Sequence, residues 1–113
     1  MSAGVYKMTC NQGANLTQSL TWRNPDGTPI NLTGYTAEMR VARNKGGTLV
    51  LNPTTENGQI EITALSGLIL IDVDATDTLD VESGIYVYEV DLTSSNGTVT
   101  RLLEGQFVVD GRV

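Results

Sequence analysis

The chain has 113 residues, which suits one domain, and its 40% hydrophobic content sets it apart from disordered polymers. Seven Lys and Arg face thirteen Asp and Glu, for a net charge of −6; such a surface repels phosphate backbones, so nucleic-acid binding is not expected. There is no histidine and one cysteine, Cys10, which excludes Ser-His-Asp and Cys-His machinery, zinc sites built on His or several Cys, and any internal disulfide.

The opening MSAGVYKM lacks a basic region followed by an apolar one, so no secretory leader is expected. No stretch approaches the ~18 apolar residues of a membrane span, and no membrane partner is expected. Residues 1–4 read as a flexible arm. Strands are predicted over Val5–Thr9, Leu16–Arg23, Thr28–Ile30, Thr36–Arg43, Thr48–Leu51, Gln59–Thr63, Leu68–Val73, Ile85–Thr93 and Val99–Val109. The clearest alternate strictly. Leu16, Gln18, Leu20 and Trp22 oppose Thr17, Ser19 and Thr21; Tyr86, Tyr88, Val90 and Leu92 oppose Val87, Glu89 and Asp91.

Turn residues separate these runs at Asn24–Gly27, Asn44–Gly47, Glu56–Gly58, Ser66–Gly67 and Ser94–Gly97. The Asn96-Gly97 pair marks the last as a hairpin. Gly105 lies inside the final strand and predicts a bulge or bend there. Ala75–Asp80 reads as a single helical turn capped by Asp74. Residues 110–113 read as a frayed end. Short strands at this spacing predict a single all-β domain over residues 1–113: an immunoglobulin-like antiparallel β-sandwich of about 7–9 strands.

Few residues offer chemistry. Asp72, Asp74, Asp77, Asp80 and Glu82 form an acidic segment resembling a calcium loop, but Asp77 stands where the loop needs glycine and Ser83 where it needs a bidentate Glu. It reads as a helix cap and a solvated edge. Glu89 with Asp91, and Asp72 with Asp74, have the two-residue spacing of paired carboxylates, which is also common on exposed sheet faces. Cys10 reads as a small apolar strand residue, since no histidine is present to activate it. The sequons at Asn15, Asn31 and Asn96 read as turn and strand residues. Trp22 reads as core. Arg40 and Arg101 are expected to pair with Glu38, Glu89 or Glu104 across the sheet. No catalytic, cofactor-binding or metal-ligating residue is assigned, no cofactor is called for, and the residues that touch a partner are unassigned.

Two blocks carry a resemblance. The first comprises Gln12-Gly13-Ala14, Leu20-Thr21-Trp22, Asp26-Gly27-Thr28-Pro29-Ile30, Leu32-Thr33-Gly34-Tyr35-Thr36-Ala37 and Met39-Arg40. The second comprises Gly84-Ile85-Tyr86-Val87-Tyr88-Glu89-Val90, Gly97 and Arg101-Leu102-Leu103-Glu104-Gly105. Together they resemble small β-sandwich virion proteins of tailed bacteriophages, and most nearly the N-terminal domain of baseplate upper proteins. The resemblance implies a non-enzymatic virion structural protein, made in the host bacterial cytoplasm, that docks onto other tail, baseplate or capsid proteins, with a homo-oligomer in the particle as one arrangement. Baseplate relatives continue into a receptor-binding or fibre region; this sequence stops at Val113, which leaves a freestanding adaptor, tail accessory or head-decoration protein. A carbohydrate-binding module aiding host attachment is the alternative from another class.

Overall fold

Burial follows the period-two pattern closely: in Met8–Asn11 and Leu68–Val73 alternate residues sink to the interior while their neighbours stay in solvent or half exposed. The computed structural model describes residues 4–112. Among them are the strands β1 (Gly4–Val5), β2 (Met8–Asn11), β3 (Leu16–Thr21), β4 (Thr36–Ala42), β5 (Leu49–Leu51), β6 (Ile60–Thr63), β7 (Leu68–Val73), β8 (Gly84–Thr93) and β9 (Val99–Asp110). A 3₁₀ turn, Ala64–Ser66, precedes β7, and one short helix, α1 (Ala75–Leu79), joins β7 to β8. The strands form two sheets. The larger runs β1-β9-β8-β4-β5 with β2 also on β9; the smaller runs β3-β7-β6. The chain is an all-β sandwich.

The core lies between the sheets. Met39, Val41, Tyr86, Val90, Leu92 and Phe107 from the large sheet meet Leu16, Ile60, Ile69, Ile71 and Val73 from the small one. These are mostly β-branched and aromatic residues, which suit a pleated surface buried on one side. The Tyr86 hydroxyl, at the start of β8, donates to the Glu82 carbonyl at 2.7 Å. This is the tyrosine corner of immunoglobulin-like sandwiches, and it assigns β8 to the F position. β4, β8 and β9 then correspond to C, F and G, and β3, β7 and β6 to B, E and D.

Several sequence-based expectations change. The run Val5–Thr9 is two strands rather than one, and both lie parallel to β9, so the sandwich is not wholly antiparallel. Gly4, expected in a flexible arm, pairs with Leu103; residues 1–3 of that arm, like Val113 of the expected frayed end, lie outside the described residues. Asp110 is paired with Asn11. Thr28–Ile30 makes a lone bridge, Pro29 with Arg23, in which the Asn24 amide donates to the Thr28 carbonyl and the Ile30 amide to the Trp22 carbonyl. The Asp74 side chain does not cap α1; Asn15 does, accepting the Ala75 amide at 2.8 Å from the β2–β3 connection.

Gly105 keeps its register opposite Tyr88, and the bulge of this strand falls instead at Leu102, which is skipped between the pairs Val90–Leu103 and Asp91–Arg101. The Ser94–Gly97 hairpin closes with the Gly97 amide on the Ser94 carbonyl and the Ser94 amide on the Thr98 carbonyl. Gly97 takes φ +89 while Asn96 keeps a negative φ, so the turn is a type I turn with a glycine bulge rather than the primed turn that Asn-Gly suggests.

Candidate functional site

The bulge at Leu102 in β9 has an electrostatic consequence on the outer face of the large sheet. It brings Asp91 opposite Arg101 of β9, while β4 carries Glu38 opposite Asp91 and Arg40 opposite Glu89. Arg40 Nε donates to Glu89 Oε1 at 2.9 Å, Arg40 Nη1 to Glu38 Oε1 at 2.7 Å, and Arg40 Nη2 to Asp91. Arg101 Nε donates to Asp91 Oδ1 at 2.9 Å and its Nη1 pairs with Glu89 Oε2 at 3.0 Å. Glu38 and Glu89 are the partners expected from the sequence. Glu104 instead pairs with Lys45 at 3.6 Å, and Asp91 is an addition.

Asp91 is 7% exposed, the charged residue most deeply placed in this lattice. Burial pushes its pKa up, but hydrogen bonds from Arg101 and Arg40 outweigh burial and hold the carboxyl below its ordinary value. Burial pulls Arg40 down, and its bonds to Asp91 and Glu89 reverse that and raise it. The bond to Asp91 raises Arg101. A carboxyl more acidic in the folded state stabilises the fold above the ordinary aspartate range and loses that contribution as pH falls through its folded pKa. Asp91→Asn should therefore cost about 2 kcal/mol at neutral pH, a value reduced for the solvent around Arg101. Urea unfolding of the two proteins should show the gap closing as the solution is made strongly acidic; a gap independent of pH would mean that the carboxylate charge is not what stabilises.

The other residues of chemical interest are dispersed. Asp77 accepts from Gln59 Nε2 at 2.8 Å, Asp72 from Thr17 Oγ1 at 3.4 Å, and Glu82 pairs with Arg43 at 3.3 Å, so the acidic segment points its carboxylates to three separate places. Glu89 and Asp91 do lie together, but clamped between guanidiniums. Cys10 faces the core, where burial pushes its thiol up. Trp22 packs edge-on against Tyr35 with ring centroids 6.3 Å apart. The Tyr88 hydroxyl donates to the Tyr6 carbonyl at 2.6 Å, and burial raises its pKa to about 12.

A second feature, not anticipated from the sequence, lies at the side of the sandwich. β3 ends the small sheet, and among the described residues no strand pairs with its outer side. The Trp22 amide donates to the Gly67 carbonyl, on the β7 side. With the pairing Leu20 to Ile69 and Gln18 to Ile71, the antiparallel alternation directs the backbone groups of Leu16, Gln18 and Leu20 inward to β7. Those of Thr17, Ser19 and Thr21 face outward. Beside this rim runs an open groove of about 460 Å³ lined by Val5, Tyr6, Gln18, Leu20, Leu102 and Leu103. Val5 is 84% and Tyr6 47% exposed. The sequence shows LTQSLT to be a strand without charge, proline or glycine, but nothing in it says that this strand lies at an edge.

No family model and no curated protein matches the chain. A solved structure does: CopC from Methylosinus trichosporium OB3b, at 16% identity over 94% of this chain and 87% of that one, with a TM-score of 0.49. At that level the likeness carries no function across. The virion structural role expected from the sequence is corrected here: no family model and no curated protein supports it, and the solved structure named above is a CopC rather than a tail, baseplate or head-decoration protein. The physical reason is that the residues behind the resemblance are turn and core positions, which many β-sandwiches need alike. The carbohydrate-binding alternative goes with it: Tyr86, Tyr88 and Phe107 are buried and Trp22 packs on the core, which leaves no row of rings in a groove.

Proposed function

We propose that the chain is a non-catalytic protein-binding domain that accepts an extended peptide segment as an added strand on β3. The observation that carries this reading is the outer rim of β3: a six-residue strand with outward N–H and C=O groups, no charged residue, and an apolar groove alongside. Natural sheets blunt such rims with charge, proline, bulges or a covering segment. Main-chain bonds along the rim would give affinity, and alternate side chains entering the groove would give selectivity. In an immunoglobulin constant-type sandwich a further strand, A, sits at this place beside B.

The titration behaviour supports a non-enzymatic role. Each described group with a displaced pKa moves away from neutrality: Asp91 and Asp26 down, Arg40, Arg101, Cys10 and Tyr88 up. Proton-transfer catalysts are tuned the other way, toward the working pH. The net charge of −6 favours a protein ligand over a nucleic acid.

Panning a random peptide library against the immobilised chain tests the reading. It should return extended sequences with alternating apolar residues, and these should fail to bind Ser19→Pro, which removes an outward amide and leaves the bonds to β7 in place. Peptides that bind that variant as well as they bind the parent would move the site elsewhere and end the proposal.

A further inference from the structure

The rim of β3 is suited to one occupant in particular: itself. We infer that two copies of this chain associate by antiparallel pairing of β3 with β3 about a two-fold axis through Ser19, joining the two small sheets into one continuous sheet. This rests on the reading of β3 as an open, strand-accepting edge and names its partner.

The geometry of the strand permits the symmetry. Ser19 is one of the residues whose backbone groups face outward, so two copies meeting there exchange both hydrogen bonds as a bonded pair. The same axis sets Thr17 of each copy opposite Thr21 of the other. Hydroxyl residues thus face hydroxyl residues on the solvent side, a pairing that favours adjacent strands. On the inner side Gln18 meets Leu20, both next to the groove. The contact is self-complementary, as a two-fold interface must be.

Charge selects the same arrangement. Copies with a net charge of −6 repel one another unless the contact is uncharged or locally complementary. Leu16–Thr21 contains no charged residue. Beyond its end, Arg23 continues on the solvent side of the sheet, in register with Thr21. Asp72, opposite Thr17 on β7, lies on that same side. The two-fold axis brings Arg23 of one copy diagonally toward Asp72 of the other, and does so twice. Neither residue belongs to an ion pair among the described residues of its own chain.

The β6 and β5 rims are less suitable. The β6 rim carries Glu61, and the Ile60 amide there is already taken by the Thr54 carbonyl. The β5 rim offers only the three residues Leu49–Leu51. A like charge directly opposite itself across a two-fold axis at Glu61 would oppose pairing.

Sedimentation equilibrium of the full chain over a range of concentrations tests the inference. A dimer whose population rises with concentration is expected, together with slowed hydrogen exchange at the Thr17, Ser19 and Thr21 amides as it forms. Ser19→Pro should abolish the dimer, and Ser19→Lys, which opposes two ammonium groups across the axis while leaving every main-chain donor in place, should do the same. Arg23→Asp should raise the dissociation constant about fivefold, and adding Asp72→Arg should restore it. A monomer at every soluble concentration, or a dimer that survives Ser19→Lys, would overturn the inference. If the monomer still binds library peptides in a Ser19-dependent way, the open-edge reading stands and only the self-pairing falls; if it binds none, both fall.

Discussion

Phe107→Ala should destabilise the domain by about 4 kcal/mol, which approaches the whole stability of many domains of this size. Phe107 is fully buried on β9 at the point where three strands meet, with Tyr86 opposite it on β8 and Met8 opposite it on β2. Its ring meets Tyr88 edge-on at 6.3 Å and 68°. Truncation removes an apolar ring from a site with no route to solvent, and adds the loss of the aromatic pair, worth about 1 kcal/mol. The neighbours are main-chain-bonded strands and collapse poorly onto the cavity, which places the cost toward the upper end of the usual range. Equilibrium urea unfolding should show a large fall in midpoint at an unchanged slope. A loss below about 1.5 kcal/mol would mean that the two sheets close over the gap, and that the core is softer than its packing implies.

Gly105→Ala should cost about 3 kcal/mol or more, although it adds only a methyl group. Gly105 holds φ +155, a region L side chains rarely adopt. A Cβ built there would lie 2.4 Å from the Tyr6 carbonyl oxygen and 3.1 Å from its carbon. Tyr6 cannot step aside freely, because its amide donates to the Glu104 carbonyl at 3.1 Å and its carbonyl accepts from Tyr88. The added methyl must therefore displace the segment between β1 and β2 from β9. Amide exchange should quicken at Val5 and Tyr6 before it does in β7. Tyr88→Phe, which removes the hydroxyl that fixes the same carbonyl, should be coupled to Gly105→Ala and not additive with it. Full additivity would separate the two effects and refute the crossing as their common cause.

The readable part of this molecule was its strand content. Leu68–Val73 was delimited to the residue, because Ser66-Gly67 precedes it and a short helical segment follows, with a strand-sized apolar run between. The hairpin at Ser94–Gly97 was equally plain. Pairing partners were not. The parallel course of β1 and β2 along β9 joins segments far apart in sequence, and alternation says which face a residue takes without saying which strand lies beside it. The ion lattice was half visible: Glu38 with Arg40 and Glu89 with Asp91 alternate on polar faces, but Arg101, an even number of residues from buried Phe107, joins them only because the extra residue Leu102 turns it outward toward Asp91. Asn15 was read as a turn residue, and its service to α1 spans sixty positions of chain. The rim of β3 was hidden for the same reason. A strand reads alike from sequence whether it is central or marginal, until its neighbours are known.

The pairing of the first strands with the last one bears on how the molecule comes to be made. β1 and β2 leave the ribosome early but have nothing to lie against until β9 has been synthesised, since both bond to β9 alone. A nascent chain that has reached only β8 contains every strand of the small sheet, while the large one lacks β9 and with it the partner of β1 and β2. The native topology is dominated by contacts distant along the chain, a pattern associated with slow acquisition of structure. Emergence of β9, rather than of any earlier strand, is the moment at which the large sheet closes.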